Sequence, residues 1–330
     1  MNIFSVDYQQ LTSLPASLMS KIELEEIHAD HNHLTALPED IGRLQHLKVL
    51  SVYDNQLVIV PENIGDLSNL QALSLGRNLL VELPKSLWQL TNLCNLNVAE
   101  NRLTALSGQI ANLKNLHTLD IAHNELTALP ESLGELTNLT DFLYISNNRL
   151  TSLPESLGNL TRLKYLNITD NQLTDLPLTI GNLASLREFR LYNNALASLP
   201  ETIGKLANLV ELHAQHNHLT SLPASMGNLL RLKELRLSDN RLTALPETIG
   251  KLANLRYLDL RNNRLTDLPE SVGKLTSLTH LDLRANRLTA LPDSIGELPH
   301  LEKLDVRWNK LAEVPQWIKR LEERGVMVYL

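Results

Sequence analysis

The stretch that decides the fold runs from Leu255 to Ser277 and reads LRYLDLRNNRLTDLPESVGKLTS. Leu258 and Leu260 alternate with polar residues, which is the period of a short, half-buried strand. Asn263 follows where the chain leaves the strand and must satisfy backbone N–H and C=O groups that turn inward. Its amide offers both a donor and an acceptor for that task.

The second half of this stretch supplies an opposite wall. Leu268, Val272 and Leu275 are apolar, and Pro269 fits the first turn of a short helix, where its missing N–H costs nothing. One such unit cannot bury its own leucines, so the pattern predicts a stack of similar units.

The unit recurs along almost the whole chain. An asparagine returns every 23 residues with one exception, and residues 4–11 are predicted to be a degenerate first strand, so about fourteen turns are expected. These asparagines are predicted to line the inner bend as a structural ladder: Asn32, Asn55, Asn78, Asn101, Asn124, Asn148, Asn171, Asn194, Asn217, Asn240, Asn263, Asn286 and Asn309.

The pattern L-x-x-L-x-L-x-x-N-x-L resembles that of the leucine-rich repeat family. Its extension L-T-x-L-P-x-x-I/V-G-x-L is similar to the 23-residue intracellular class of plant Ras-group and bacterial repeat proteins. The resemblance covers essentially all 330 residues. It implies an α/β solenoid, a curved rod with a parallel β-sheet on the concave face and short helices or 3-10 turns on the convex face. The ending of the chain, residues 308–318, resembles bacterial members.

We predict one leucine-rich repeat domain over residues 1–330, in which residues 1–20 form a degenerate N-terminal turn and residues 315–330 a C-terminal cap. In the cap, an amphipathic helix turns Trp317, Ile318 and Leu321 inward. A glycine at position 325 is a natural end for that helix, and a last edge strand is predicted to follow it.

The exceptional interval lies between Asn124 and Asn148, where one residue too many precedes the strand. A bulge or a swollen loop is expected between Leu139 and Leu143. Two interpretations stay open: the insertion is absorbed at a turn, or it aims Phe142 or Tyr144 at a ligand.

The third to fifth repeats depart from the pattern in a second way. Trp88 replaces the usual glycine, Leu79 replaces a polar residue, and Ser107 replaces the proline. Ser107 is a possible helix N-cap, so a more regular helix is expected after it. Local drift and a second contact surface are both compatible with these changes.

Composition restricts the class of protein. Net charge is −7, with 43% hydrophobic and 4% aromatic residues, and Cys94 is the only cysteine, which excludes an internal disulfide. Residues 1–20 contain no Lys or Arg and do not read as a secretory signal. No stretch approaches the roughly 18 apolar residues of a membrane span. The sequence therefore predicts a cytoplasmic protein without membrane contact, and a signal removed from an upstream segment is the alternative.

Charge is divided unevenly along the chain. Residues 1–230 carry 13 basic and 23 acidic side chains, whereas residues 231–330 carry 17 and 14. In the family that the chain resembles, the positions −4, −2, −1 and +1 relative to each ladder asparagine point into the concave face. On that basis the candidate partner-binding residues are Tyr192, His213, His216, Arg236, Arg241, Tyr257, Arg261, Arg264, Arg284, Arg287, Arg307 and Trp308.

Aspartate and arginine alternate at positions −4 and −2 of the last turns, as in Asp282 and Arg284. One interpretation is a self-compensating ladder of ion pairs on a solvated sheet, with little effect on stability. The other is that the +1 arginines are left over and engage carboxylates of a partner.

Two histidine clusters read H-A-x-H-N-H-L, at residues 28–34 and 213–219. Their histidines are spread along the strand and are not expected to converge on one point, as a zinc site requires, so neither a metal nor a cofactor is predicted. No Gly-rich phosphate loop, H-E-x-x-H or G-x-S-x-G motif is present, and no catalytic residue is predicted.

The sequence thus predicts a non-enzymatic module that binds a protein with an acidic surface on its concave face. A first alternative is the recognition part of a larger enzyme, a GTPase or ubiquitin ligase, whose catalytic domain is absent. A second is nucleic-acid binding through the C-terminal arginines, which the net charge and the interleaved aspartates oppose.

Overall fold

A computed structural model describes residues 2–330, and the chain forms two compact units that divide after Leu163. Each unit is a parallel sheet of three-residue strands, in which strands that are neighbours in sequence are neighbours in the sheet. A 3-10 helix precedes nearly every strand. This is the architecture of a leucine-rich repeat solenoid, and the predicted fold class is confirmed.

The first unit contains seven strands. They are β1 Ile3–Ser5, β2 Glu26–His28, β3 Val49–Ser51, β4 Ala72–Ser74, β5 Asn95–Asn97, β6 Thr118–Asp120 and β7 Phe142–Tyr144. Its 3-10 helices are Ala16–Ser20, Ile41–Arg43, Glu62–Asp66, Lys85–Gln89, Gly108–Asn112, Glu131–Glu135 and Glu155–Asn159.

The second unit contains eight strands and the cap. The strands are β8 Tyr165–Asn167, β9 Glu188–Arg190, β10 Glu211–His213, β11 Glu234–Arg236, β12 Tyr257–Asp259, β13 His280–Asp282, β14 Lys303–Asp305 and β15 Met327–Tyr329. The 3-10 helices are Leu178–Asn182, Glu201–Lys205, Ala224–Asn228, Glu247–Lys251, Glu270–Lys274 and Asp293–Glu297, and the cap helix α1 is Trp317–Glu323.

Stacked leucines form the core of each unit. In β12 the register places Leu258 opposite Leu235 on one side and Leu281 on the other. Leu258 is 1% exposed and Leu260 is fully buried, and burying one such side chain stabilises the fold by about 1.5–3 kcal/mol. Because the repeat is 23 residues long, each leucine contacts its own equivalents in the adjacent turns.

The asparagine ladder works as predicted. Asn263 Nδ2 donates to the carbonyl oxygens of Leu237 at 2.9 Å and Leu260 at 3.0 Å, and its Oδ1 accepts from Leu242 N at 3.0 Å. Leu237 and Leu242 belong to the preceding turn, so one amide joins two turns. The twelve ladder side chains from Asn32 to Asn286 are at most 9% exposed, and that of Asn309 is half-buried.

A second asparagine column, which the sequence analysis missed, lies where the chain leaves the 3-10 helices. Asn254 Nδ2 donates to Leu230 O at 2.7 Å, one turn back. The same bond recurs at Asn69, Asn92, Asn115, Asn138 and Asn208. These side chains are exposed in part, so each of these six turns is joined to its neighbour at a buried bend and at an outer one.

Glycine in the 3-10 helices permits a close approach between turns. A Cβ built on Gly250 would lie 2.4 Å from Ser271 O, which no side chain tolerates without a backbone shift. Trp88 occupies the equivalent place in one turn of the first unit, and its side chain is only 3% exposed. The substitution is therefore accommodated inside the stack and does not present an indole to solvent.

The inserted residue lies in the turn before β7. Phe142 pairs opposite Thr118 and Tyr144 opposite Asp120, so the strand itself is regular. Thr140 N and Asp141 N both donate to His117 O, at 3.3 and 3.1 Å. The extra residue therefore lies between Leu139 and Phe142, before pairing begins, and the expectation of a bulge within the strand is wrong.

The cap follows its prediction. Trp317, Ile318 and Leu321 are buried on α1, and Gly325 ends the helix with a φ of 85°, the left-handed region that favours glycine.

Ser107 Oγ accepts from Gln109 N at 3.2 Å, as an N-cap does. The helix after Ser107 is nevertheless a five-residue 3-10 helix like the others, so the expectation of a more regular helix there is wrong.

We expect Asn263→Ala to lower the free energy of unfolding by about 1–3 kcal/mol, because it leaves buried backbone groups without partners. Asn254→Ala removes an equivalent inter-turn bond at an exposed site, where water replaces it, and should cost less. Urea unfolding of both variants measures the difference. Equal losses in the free energy of unfolding would show that the bonds at the inner bend stabilise the fold no more than the outer ones.

The close approach at Gly250 predicts that Gly250→Ala destabilises the protein by about 1–3 kcal/mol, as overpacking does. Gly108→Ala is the matched control. Its added Cβ would lie 3.5 Å from Ser132 Oγ, an ordinary contact, and its effect should be neutral or slightly stabilising. Thermal unfolding of the pair tests the assignment, which fails if the two variants behave alike.

Candidate functional site

The sheet face of each unit is formed by the residues at −6, −4 and −2 from the ladder asparagine. In β12, Tyr257 and Asp259 lie on this face because they flank the buried Leu258. The residue directly before each asparagine, such as Asn262 with a φ of 53°, is in the left-handed region. That conformation turns the chain sharply, so the sheet face ends at the same place in every turn.

Aspartate and arginine form a ladder across the last strands of the second unit. Arg284 Nη2 lies 2.6 Å from Asp282 Oδ2, and Arg284 Nε lies 3.4 Å from Asp305 Oδ2 in the next strand. Arg307 Nη2 lies 2.6 Å from Asp305 Oδ2, and Arg261 Nε is 3.6 Å from Asp259 Oδ2. The −2 arginines are therefore engaged within the chain.

The pKa values of the ladder carboxyls depend on how well each is paired. Burial raises the pKa of Asp259, against hydrogen bonding and charge from Arg261. Burial would also raise the pKa of Asp305, but hydrogen bonds from Arg307 and the charge of Arg284 hold it below its ordinary value. Of these two carboxyl groups, Asp305 therefore has the lower pKa and is the more firmly ionised.

The +1 arginines behave differently from those at −2. Arg241, Arg264 and Arg287 are exposed, and within residues 2–330 their guanidinium groups make no ion pair. They occupy the same position in three adjacent turns, so they form one row beside the ladder of aspartates and arginines. This row is the part of the predicted site that is free for a partner.

Aromatic side chains lie at both ends of this region. Trp308 is 70% exposed, and the Arg307 guanidinium lies between its ring at 5.4 Å and that of Tyr329 at 4.9 Å. Tyr257 is half-buried beneath Arg236, whose guanidinium lies 5.2 Å from its ring. Arg307 is therefore held by its neighbours, unlike the three exposed arginines at +1. Tyr192, another predicted binding residue, is half-buried.

The two histidine motifs form separate contacts. His31 Nδ1 lies 2.7 Å from Asp54 Oδ2 and His28 Nε2 lies 3.0 Å from Glu26 Oε2. In the second motif, His216 Nε2 lies 3.5 Å from Asp239 Oδ2, whereas His213 is 8% exposed and faces other carboxylates. A buried His213 offers almost no surface to a partner, which speaks against its predicted binding role.

On β9, β10 and β11 the residues at −6 and −4 form a grid of ionisable side chains, and His213 lies in the middle of this grid. Its Nε2 is 3.1 Å from Glu234 Oε1 and 3.5 Å from Glu211 Oε2. Burial lowers the pKa of the His213 imidazole against the charge of Glu234, and burial with the charges of Glu188 and Glu234 raises the pKa of the Glu211 carboxyl. The sequence analysis missed this cluster, although the 23-residue period places Glu211 and Glu234 side by side.

The first unit carries a different sheet face, which the sequence analysis also missed. A shallow groove of about 440 Å³ has a floor of small side chains that includes Ser51, Ala72 and Ser74. Phe142 and Tyr144 form its wall, with stacked rings 5.8 Å apart, and Phe142 is 43% exposed. The available signal was the small residues of the third and fourth turns, Ser51 and Ser74 at −4 and Ala72 at −6.

Known proteins share this architecture. A family described as a leucine-rich repeat region matches residues 151–245 and 242–324, and one described as a leucine rich repeat matches residues 22–80 and 91–150. No curated protein matches the chain.

None of the helices that the structure describes combines the length and apolar composition needed to cross a membrane.

Solved structures give the same result. A leucine-rich repeat protein of Leptospira interrogans is 36% identical with a TM-score of 0.89, over 97% of this chain and 82% of that one. The plant peptide hormone receptor RGFR1, in complex with RGF2, is 29% identical with a TM-score of 0.80, over 95% and 56%. An internalin of Listeria monocytogenes, 22% identical with a TM-score of 0.80 over 94% and 88%, shares the fold. The chain belongs to the leucine-rich repeat family.

Proposed function

We propose that the chain is a non-enzymatic binding module that holds a protein partner on the sheet face of its second unit. The observation that carries this proposal is the row of exposed arginines, Arg241, Arg264 and Arg287, beside a ladder whose own charges are already paired. An unpaired guanidinium group presents its N–H donors as a planar fork, which suits bidentate recognition of carboxylates.

The partner in this proposal presents an acidic surface. Residues 231–330 carry a net charge of +3 within a chain of net charge −7, and electrostatic complementarity of this kind mainly accelerates encounter. Trp308 supplies the apolar anchor, because interface energy concentrates in a few Trp, Tyr and Arg residues. The similar plant receptor, whose structure contains RGF2, supports a proteinaceous partner in general terms.

Three expectations from the sequence stay predictions within this proposal: a cytoplasmic location, a bacterial origin and the organisation of residues 1–330 as one domain. The sheet-face assignment does not depend on any of them. The partner itself is to be obtained by affinity capture from the source cells and identified by mass spectrometry.

Reversing two of the arginines tests the electrostatic part. We expect Arg264→Glu with Arg287→Glu to slow association with the captured partner by at least about tenfold and to weaken its salt dependence, as loss of steering does. Lys251→Glu with Lys274→Glu is the matched control, because it makes the same charge change in adjacent turns on the outer 3-10 helices. Binding kinetics at two salt concentrations measure both variants.

Equal effects of the arginine and lysine reversals would show that only net charge matters. If neither pair alters binding while Phe142→Ala abolishes it, the groove of the first unit is the binding surface and the assignment to the second unit is wrong.

Removing the indole tests the anchor. Trp308→Ala should speed dissociation by at least about tenfold and leave association nearly unchanged. An aromatic side chain that the partner buries acts mainly on the lifetime of the complex. Leu178→Ala removes another exposed apolar side chain, 65% exposed on a 3-10 helix, and should change neither rate. An unchanged dissociation rate for Trp308→Ala would remove this residue from the interface.

A further inference from the structure

Three donor groups converge at the centre of the sheet face in the second unit. Ligand atoms of Glu211, His213 and Glu234 all lie within 4.8 Å of one another, and the two separations from His213 Nε2 are 3.1 and 3.5 Å. Three ligands at about 2.1 Å from a tetrahedral ion are roughly 3.4 Å apart. The two separations from His213 Nε2 already match this spacing.

His213 Nε2 is the observation that points to a ligand. The imidazole side chain is 10% exposed, and its Nε2 is buried without a well-aligned hydrogen bond, although Glu234 Oε1 lies 3.1 Å away. Most buried polar atoms are satisfied, and each exception requires an explanation. This nitrogen faces two carboxylates, one from its own strand and one from the next.

At this place the grid has an imidazole where the neighbouring strands have a guanidinium. Glu188, Glu211 and Glu234 lie side by side at −6, in register across β9, β10 and β11. At −4, the first and third of these strands carry Arg190 and Arg236, whereas the middle strand carries His213. Glu188 and Glu234 each bond to the arginine of their own strand, so within residues 2–330 Glu211 is the carboxyl group of the three that no guanidinium pairs.

The flanking arginines are compatible with a cation at the centre. Arg190 Nε bonds to Glu188 Oε1 at 2.6 Å and lies over the Tyr165 ring, and Arg236 bonds to Glu234 and lies over the Tyr257 ring. Each guanidinium is thus held by a partner of its own. A carboxylate has about four lone-pair positions, so Glu234 can keep Arg236 and bind an ion, with Arg236 fixing its orientation.

We propose that Glu211, His213 and Glu234 form a binding site for a divalent transition metal ion of the Zn²⁺ type. One imidazole and two carboxylates are a ligand set that Zn²⁺ accepts, with a fourth position open to solvent, whereas Mg²⁺ prefers oxygen ligands and octahedral geometry. The ion would place a positive charge beside Glu211 and would tie β10 to β11.

Calorimetric titration of the full chain with Zn²⁺ at neutral pH, with Mg²⁺ as the comparison ion, tests this proposal. We expect one Zn²⁺ per chain and no comparable binding of Mg²⁺. Bound Co²⁺ should show the visible absorption typical of a low-coordinate site with an imidazole ligand.

Two substitutions define the ligands. His213→Gln and Glu211→Gln should each weaken Zn²⁺ binding by at least about tenfold, the loss expected when a ligand is removed. His216→Gln is the control, because this histidine belongs to the same sequence motif but is exposed and faces Asp239. Its affinity for Zn²⁺ should equal that of the unmodified chain.

Because His213 is buried, its substitution can disturb the fold, and circular dichroism of each variant separates that effect. Glu211 is at the rim, with a side chain 38% exposed, so its substitution keeps the test valid if His213→Gln unfolds. Absence of Zn²⁺ binding, or binding that survives Glu211→Gln and depends on His216, would overturn the proposal.

Discussion

The structure depends on the need to satisfy backbone groups at the inner bend of every turn. At the end of each strand the chain turns away from the sheet, and its N–H and C=O groups point into a buried, apolar stack. An amide side chain at that point donates to two or more carbonyl groups and accepts one N–H, as Asn263 does. Because some partners lie in the preceding turn, the same bonds fix the spacing between turns.

That constraint explains why the remaining positions divide into two kinds. Leu258 and its equivalents must fill the stack, and Gly250 must stay small because Ser271 of the next turn approaches it closely. The sheet face has no such requirement, since its side chains point away from the core. The first unit therefore carries small residues and a groove at Phe142, and the second carries charged grids, on the same backbone.

The sequence predicted the fold well because periodicity is a property of sequence. A 23-residue period places equal offsets in adjacent turns, and this was enough for the asparagine ladder, the strands and the helix around Trp317. It was not enough for the inserted residue before Phe142, because a loop and a bulge differ only in where pairing begins. Nor could it show that Arg284 pairs with Asp305 of the next strand as well as with Asp282 of its own, because side-chain rotamers decide that reach and spacing does not define them.

For the histidine motifs, the neighbours on adjacent strands were the information left unused. Counting along one strand places His213 beside His216, but the chemistry of a parallel stack runs across strands, where His213 meets Glu211 and Glu234. The same reasoning separates the arginines by row: those at −2 have an aspartate at −4 on their own strand, and those at +1 have none. In a protein built from stacked turns, function is therefore best inferred by comparing residues at the same offset in adjacent turns. A change at one such offset alters recognition, while the leucines and asparagines that hold the turns together stay the same.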